Sequence, residues 1–361
     1  MSTRTKLAVA VAVVLTVVAG LCVLGIVGTV VWKRTHRTPL DDALHRVPAS
    51  SLRVSFTDWG VVRRTLDADL GTNPTDSAIE SFMSRAYDDD FSAASSIDES
   101  AVALQDKFGF SPANAEWEAY AQGRDGAAMV LKVADGTDFS ILADNLRTDG
   151  YGKPKKSGGV WRGGEDLVAA LDPTITPELQ YVVLLEDQGL VVTSDTEEYA
   201  ASSARAAAGD AKGLASTGKV DHLDDDLGRP ANALVWAGDF ACSDLAMSQA
   251  DSDAQTQAED LVKQAGGVTP LNGLAMAMDA RRKLRVVEGF EDDDRARENL
   301  RPRAELAVGE AVGRGGDFKD TFKLTRSRTS GSTVVLDLTP RQKPGFVLSA
   351  VYDGPVIFAT C

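Results

Sequence analysis

Few of the side chains that commonly do chemistry occur in this 361-residue chain, and their positions narrow what it can catalyse. Only three histidines are present, and His36 and His45 lie just behind a long apolar segment. His222 stands in GKVDHLDDDLG beside Asp221, Asp224, Asp225 and Asp226, the one crowding of an imidazole with carboxylates. A zinc centre needs three or four ligands at defined spacing, and a calcium loop of the EF-hand type needs alternating acids, a central glycine and a distal glutamate. The segment has neither pattern, so it reads as a solvated loop and no cofactor or metal is implied. The acidic runs Asp88–Asp90 and Glu291–Asp294 read the same way, the second also as a helix cap. No G-x-S-x-G elbow, complete Walker A pattern or G-x-G-x-x-G occurs, which leaves serine-hydrolase and phosphate-cradling chemistry without a signature. A pair of carboxylates for glycan cleavage stays open, because only folding sets their separation. Of the five tryptophans, Trp59, Trp117, Trp161 and Trp236 read as core residues or helix anchors. A ligand contact is expected on the glycine-rich turn VWRGGEDL, through Trp161, Arg162, Glu165 and Asp166.

Cysteine usage says more about placement than about catalysis. Cys242 and Cys361 are an even pair in a chain whose only other cysteine, Cys22, sits inside the apolar leader. Structural disulfides persist in oxidising compartments, so a Cys242–Cys361 bridge on the outer side of a membrane is expected. Cys22 follows Leu21 where a lipidation motif wants a small residue, and reads as a lipid-facing thiol.

The elements that would carry these residues begin with a tail at 1–6 and LAVAVAVVLTVVAGLCVLGIVGTVVW at 7–32, free of charge and proline. As a helix it would be about 39 Å long, enough to span a bilayer with tilt. Trp32 suits the interfacial position, and the run is too long for a cleaved signal peptide, so an uncleaved transmembrane anchor is expected. Arg4 and Lys6 on one side nearly balance Lys33, Arg34 and Arg37 on the other, so flanking charge does not orient the span. Orientation therefore rests on the cysteine pair, which puts the C-terminal bulk outside a plasma membrane crossed once. Residues 33–51, with Pro39 and Pro48, read as a polar stalk.

Beyond the stalk the patterning predicts an α+β fold. A strand at LRVSF leads into a helix capped near Thr57 or Asp58, and further helices are expected at 76–87 and 99–110. GAAMVLKV at 126–133 reads as a strand followed by a helix with Phe139, Leu142 and Leu146 on one face. YVVLLEDQGLVVTSD at 181–195 is a hairpin, and an alanine-rich helix then stops at Gly209. Strand NALVWAGDF, a helix from about 243 to 265, hairpins at 271–291 and 322–338, and an acid-capped helix kinked or split at Pro302 follow. The chain is expected to end in a buried strand. Asp144-Asn145-Leu146-Arg147 echoes Glu298-Asn299-Leu300-Arg301, and the same offset lays Val130–Val133 over Leu284–Val287. Two lobes of antiparallel sheet with packed helices are thus expected at 52–215 and 231–361, joined by a linker at 216–230, with the echo raising a relation between them.

TDWGVVRR at 57–64, FGFSPANAEWEAYAQG at 108–123, VWRGGEDLVAALDP at 160–173 and the ending GPVIFATC resemble stretches of uncharacterised single-pass membrane-anchored proteins of high-GC actinobacteria. The resemblance implies export and a single anchor, and transfers no functional residue. Hydrophobic residues at 43% and charged residues at 25% fit a folded chain, and a net charge of −15 disfavours nucleic acid. The expected function is a non-enzymatic envelope protein that binds a ligand or another protein. A carboxylate-dependent envelope hydrolase and an accessory subunit of a membrane complex stay open as alternatives, and oligomeric state is not set by the sequence.

Overall fold

Short runs rich in valine, leucine and alanine become neighbours in one sheet. The structure, a computed structural model, describes residues 37–361 apart from 72, 73, 221, 246, 342–345 and 353. The expected transmembrane helix at 7–32 lies outside the described residues, among which no helix is long and apolar enough to cross a membrane. Residues 39–361 form one compact unit.

The strands are β1 (Arg53–Thr57), β2 (Ala115–Gln122), β3 (Ala127–Val133), β4 (Val160–Arg162), β5 (Tyr181–Leu185), β6 (Leu190–Ser194), β7 (Asn232–Ala237), β8 (Gly273–Met278), β9 (Leu284–Gly289), β10 (Phe322–Ser330) and β11 (Thr333–Pro340). They pair in the order β10-β11-β9-β8-β7-β1-β2-β3-β6-β5-β4, antiparallel throughout. The fold is therefore α+β with a large antiparallel sheet. The segments expected as two lobes are the two halves of that sheet, joined by the antiparallel β1–β7 pair. Read outward from that junction, β1-β2-β3-β6-β5 and β7-β8-β9-β11-β10 repeat one connection. The echoed segments fall on equivalent elements, β3 and β9 with the helices that follow them.

Helices cover the two faces unequally. The first face carries Met129, Leu131, Leu234, Trp236, Met276 and Leu336 in a large core. It is covered by α2 (Trp59–Thr65), α3 (Asp76–Asp88), α4 (Ala101–Phe108), α5 (Phe139–Thr148) and α6 (Glu165–Leu171), then by α10 (Ser252–Ala265) and α11 (Asp293–Leu306). Asp58 caps α2 by accepting from the Val61 N–H at 2.7 Å, as its place before the apolar pattern predicts. The opposite face carries Val54, Phe56, Val130, Val192, Val235 and Val287 under α1 (Pro39–Arg46), α7 (Glu197–Ala208) and α8 (Leu223–Leu227).

Several expectations give way to packing. Residues 39–46, expected in a polar stalk, form α1 because Leu40, Ala43, Leu44 and Val47 recur at helical spacing and bury against the sheet. The linker at 216–230 likewise contributes α8, whose Leu223 and Leu227 are buried. The long helix expected from 243 divides into α9 (Phe240–Asp244) and α10. Pro302 does not split α11, which runs unbroken through it. The terminal VIFATC makes a short 3-10 turn at Ile357–Ala359, buried side by side, where a strand was expected.

Strand β2, AEWEAYAQ, has the composition of a helix, and its burial overrides that preference. Glu118 within it is wholly buried, accepting from the Trp59 indole N–H and the Ser96 N–H, both at 2.8 Å. Burial pushes its carboxyl from 4.5 up to about 7. Between those values the folded chain keeps a proton that the unfolded chain has released. Glu118 thus favours folding most below pH 4.5, and that contribution is lost as pH rises to about 7. The linked loss is about 3 kcal/mol. Urea unfolding of the full chain at pH 5 and pH 8 should show a fall, to which buried Glu288, also raised to about 7, contributes, and Glu118→Gln should reduce it; an unchanged slope in the variant would remove Glu118 as one of its sources.

Candidate functional site

Unequal cover creates the site. On the second face, the half built from β1 to β6 lies under the twelve-residue α7 and the eight-residue α1, whereas β8 and β9 are covered by the five-residue α8. Where α8 ends at Leu227, the sheet lies open as a cleft of about 280 Å³. Leu227 and Pro230 wall one side, and Ala277 supplies small apolar floor between the β8–β9 and β10–β11 hairpins.

Three cations line it, Lys283, Arg285 and Arg326, against two carboxylates, Asp279 and Asp337. Arg285 Nε donates to Asp337 Oδ1 at 2.6 Å across the β9–β11 pair, and its Nη1 donates to the Asp226 carbonyl at 2.8 Å. Asp279 Oδ1 accepts from the backbone N–H groups of Arg281 at 2.8 Å and Lys283 at 2.9 Å, closing the β8–β9 turn. Both carboxylates therefore have local structural partners. Lys283 and Arg326 are exposed, and neither side chain has an ion-pair partner among the described residues. Strand β10 carries a bulge between Leu324 and Arg326, and Thr325 and Arg326 both line the cleft. A bulge bends the strand and re-aims its side chains, a device common beside binding sites. The Thr325 hydroxyl donates to the Asp337 carbonyl at 3.0 Å, and Thr339 adds a second hydroxyl. The arrangement offers hydrogen-bond donors and positive charge over a short apolar floor.

The residues singled out from the sequence lie elsewhere. Trp161 is in the core and 5% exposed, while Arg162, the next residue of the same strand, points to the opposite side and holds Glu197 through two bonds of 2.7 and 2.5 Å. Glu165 and Asp166 are exposed in the first turn of α6. Strand alternation thus separates Trp161 from Arg162, while Glu165 and Asp166 lie on the helix that follows. His222 meets Asp225 at 3.5 Å with both side chains exposed. Asp226 pairs with Arg328 at 2.7 Å, and burial beside Asp41 pushes the Asp224 carboxyl up to about 6. Among the described residues no group of three or more His, Cys, Asp or Glu side chains could hold a metal ion. Trp59, Trp117, Trp161 and Trp236 are buried.

Lys283, Arg285 and Arg326 were not legible as a site, although ARRKLR at 280–285 and RSR at 326–328 are basic islands in an acidic chain. Cys242, on α9, and the terminal Cys361 are joined by a disulfide, with Cα atoms 5.6 Å apart and a sequence separation of 119.

No protein-family model matches the chain, and no curated protein matches it. Two solved structures align along most of its length, crystal forms I and III of TP0453. Form I is 8% identical with a TM-score of 0.38, covering 88% of this chain and 99% of that one. Form III is 8% identical with a TM-score of 0.35, covering 85% and 97% respectively. Likeness that remote carries no argument about function.

Proposed function

We propose that this chain is a non-enzymatic envelope protein, tethered by residues 7–32 with residues 39–361 outside the plasma membrane, and that it binds a ligand or protein partner in the cleft beside α8. The observation that carries the binding role is the cleft itself, where Lys283 and Arg326 stand without an ion-pair partner among the described residues of a chain of net charge −15. The Cys242–Cys361 disulfide supports the placement, since such a bridge is stable where thiols are oxidised. A carboxylate-dependent hydrolase working here would have to use Asp279 and Asp337, and their engagement with a turn and with Arg285 favours binding over proton transfer.

A photo-crosslinking residue at Thr339, in the full chain in native membranes, tests the role of the cleft. A discrete adduct lost on Lys283→Glu with Arg326→Glu is expected, and the same probe at exposed Glu165 should not give it. If the adduct is a stoichiometric membrane subunit, the chain acts as part of a complex; adducts that ignore both charge reversals would remove the cleft from the function.

A further inference from the structure

Resting on the cleft as the binding site, we infer that its ligand is a compact anion, one carrying a carboxylate or phosphate group on a short apolar body. Size and charge both point there. Clefts that take drug-sized molecules span about 300–1,000 Å³, and this one, at about 280 Å³, lies just below that range. Of its three cations, Arg285 is held by Asp337, so the charge available to a newcomer belongs to Lys283 and Arg326. Asp279 is turned into its own hairpin by two backbone N–H groups, which lowers its capacity to hold a cation in the cleft.

The donor set fits the same conclusion. An ammonium and a guanidinium supply strong charge-assisted hydrogen bonds to oxyanions, and Thr325 and Thr339 add hydroxyls that can donate or accept. Leu227, Pro230 and Ala277 offer contact to a few carbon atoms. A cation would meet two positive charges that have no ion-pair partner among the described residues, and a large neutral ligand would lack room. In an acidic protein, a locally positive cleft also concentrates anions from solution before contact is made.

Calorimetric titration of the full chain in a neutral detergent, with inorganic phosphate in one arm and succinate in the other at constant ionic strength, reads the inference and separates the two anion classes. Saturable binding of at least one is expected, weakened about tenfold or more in Lys283→Gln with Arg326→Gln. Lys155→Gln with Lys156→Gln, outside the cleft, should leave it unchanged. Both pairs are exposed, so fold is retained, and unaltered urea midpoints check this. No saturable binding of either anion, or binding indifferent to the cleft variant, overturns the inference. A charge-dependent adduct at Thr339 alongside such a failure would mean that the cleft binds something other than a compact anion; failure of both measurements removes the cleft reading itself.

Discussion

Replacing Asp90 with alanine is expected to cost about 4 kcal/mol or more of stability, because one buried carboxylate holds the returning C-terminal chain. Asp90 is 3% exposed, and its Oδ2 accepts from the N–H groups of Val347 at 2.6 Å, Leu348 at 2.6 Å and Ser349 at 3.2 Å, while Oδ1 accepts from the Ser349 hydroxyl at 2.7 Å. Each buried donor left without an acceptor costs about 1–3 kcal/mol. Asp90 also sits at φ 63°, a left-handed conformation that adds about 1 kcal/mol for alanine and that asparagine tolerates. Asp90→Asn keeps an acceptor and should therefore recover at least half of the loss. Urea unfolding of the full chain checks both, and an alanine variant within about 1 kcal/mol of the parent would show that the clamp is energetically idle.

Removing the disulfide by Cys242→Ser with Cys361→Ser should lower stability by about 4–5 kcal/mol through the released entropy of so long a loop. The bridge ties the chain end to α9, and between them Ile357, Phe358 and Ala359 are buried. Arg303, wholly buried on α11, donates to the Phe358 carbonyl at 2.5 Å and the Thr269 carbonyl at 2.7 Å, and stands 3.8 Å from the equally buried Glu288. Burial raises the Glu288 carboxyl while the guanidinium beside it pulls the other way. Loosening the terminus would therefore also expose an ionic core contact. Reductant should reproduce the variant's urea midpoint in the parent chain and leave the variant unmoved. Equal midpoints for oxidised parent and variant would contradict this.

Much of the sheet was legible because its local signals agree with its packing. The 181–195 hairpin, the strand at 126–133 and the cap at Asp58 each combine the right period with the right boundary residues. The four-residue echo was informative for the same reason, falling where the two halves of the sheet repeat a strand and helix. What escaped depends on contacts distant in sequence. Asp90 reads as part of a solvated acidic run until residues 347–349 return to it, and β2, whose composition carries no strand pattern, is fixed only by the β1 and β3 neighbours and by Trp59, which bury Glu118. The cleft is a product of register, since Arg285 meets Asp337 across β9 and β11 and the β10 bulge decides what stands beside them. VWRGGEDL shows the converse: its composition is divided between the two faces of a strand, at Trp161 and Arg162, and the first turn of α6, at Glu165 and Asp166.

The central claim, a cleft presented outside the membrane, is tested most directly by thiol labelling at the cleft. In a Cys22→Ser background, Thr339→Cys in intact expressing cells should react with a membrane-impermeant maleimide before lysis, and phosphate or succinate should slow that reaction. Labelling that appears only after the cells are broken would put the cleft on the inner side and contradict the account.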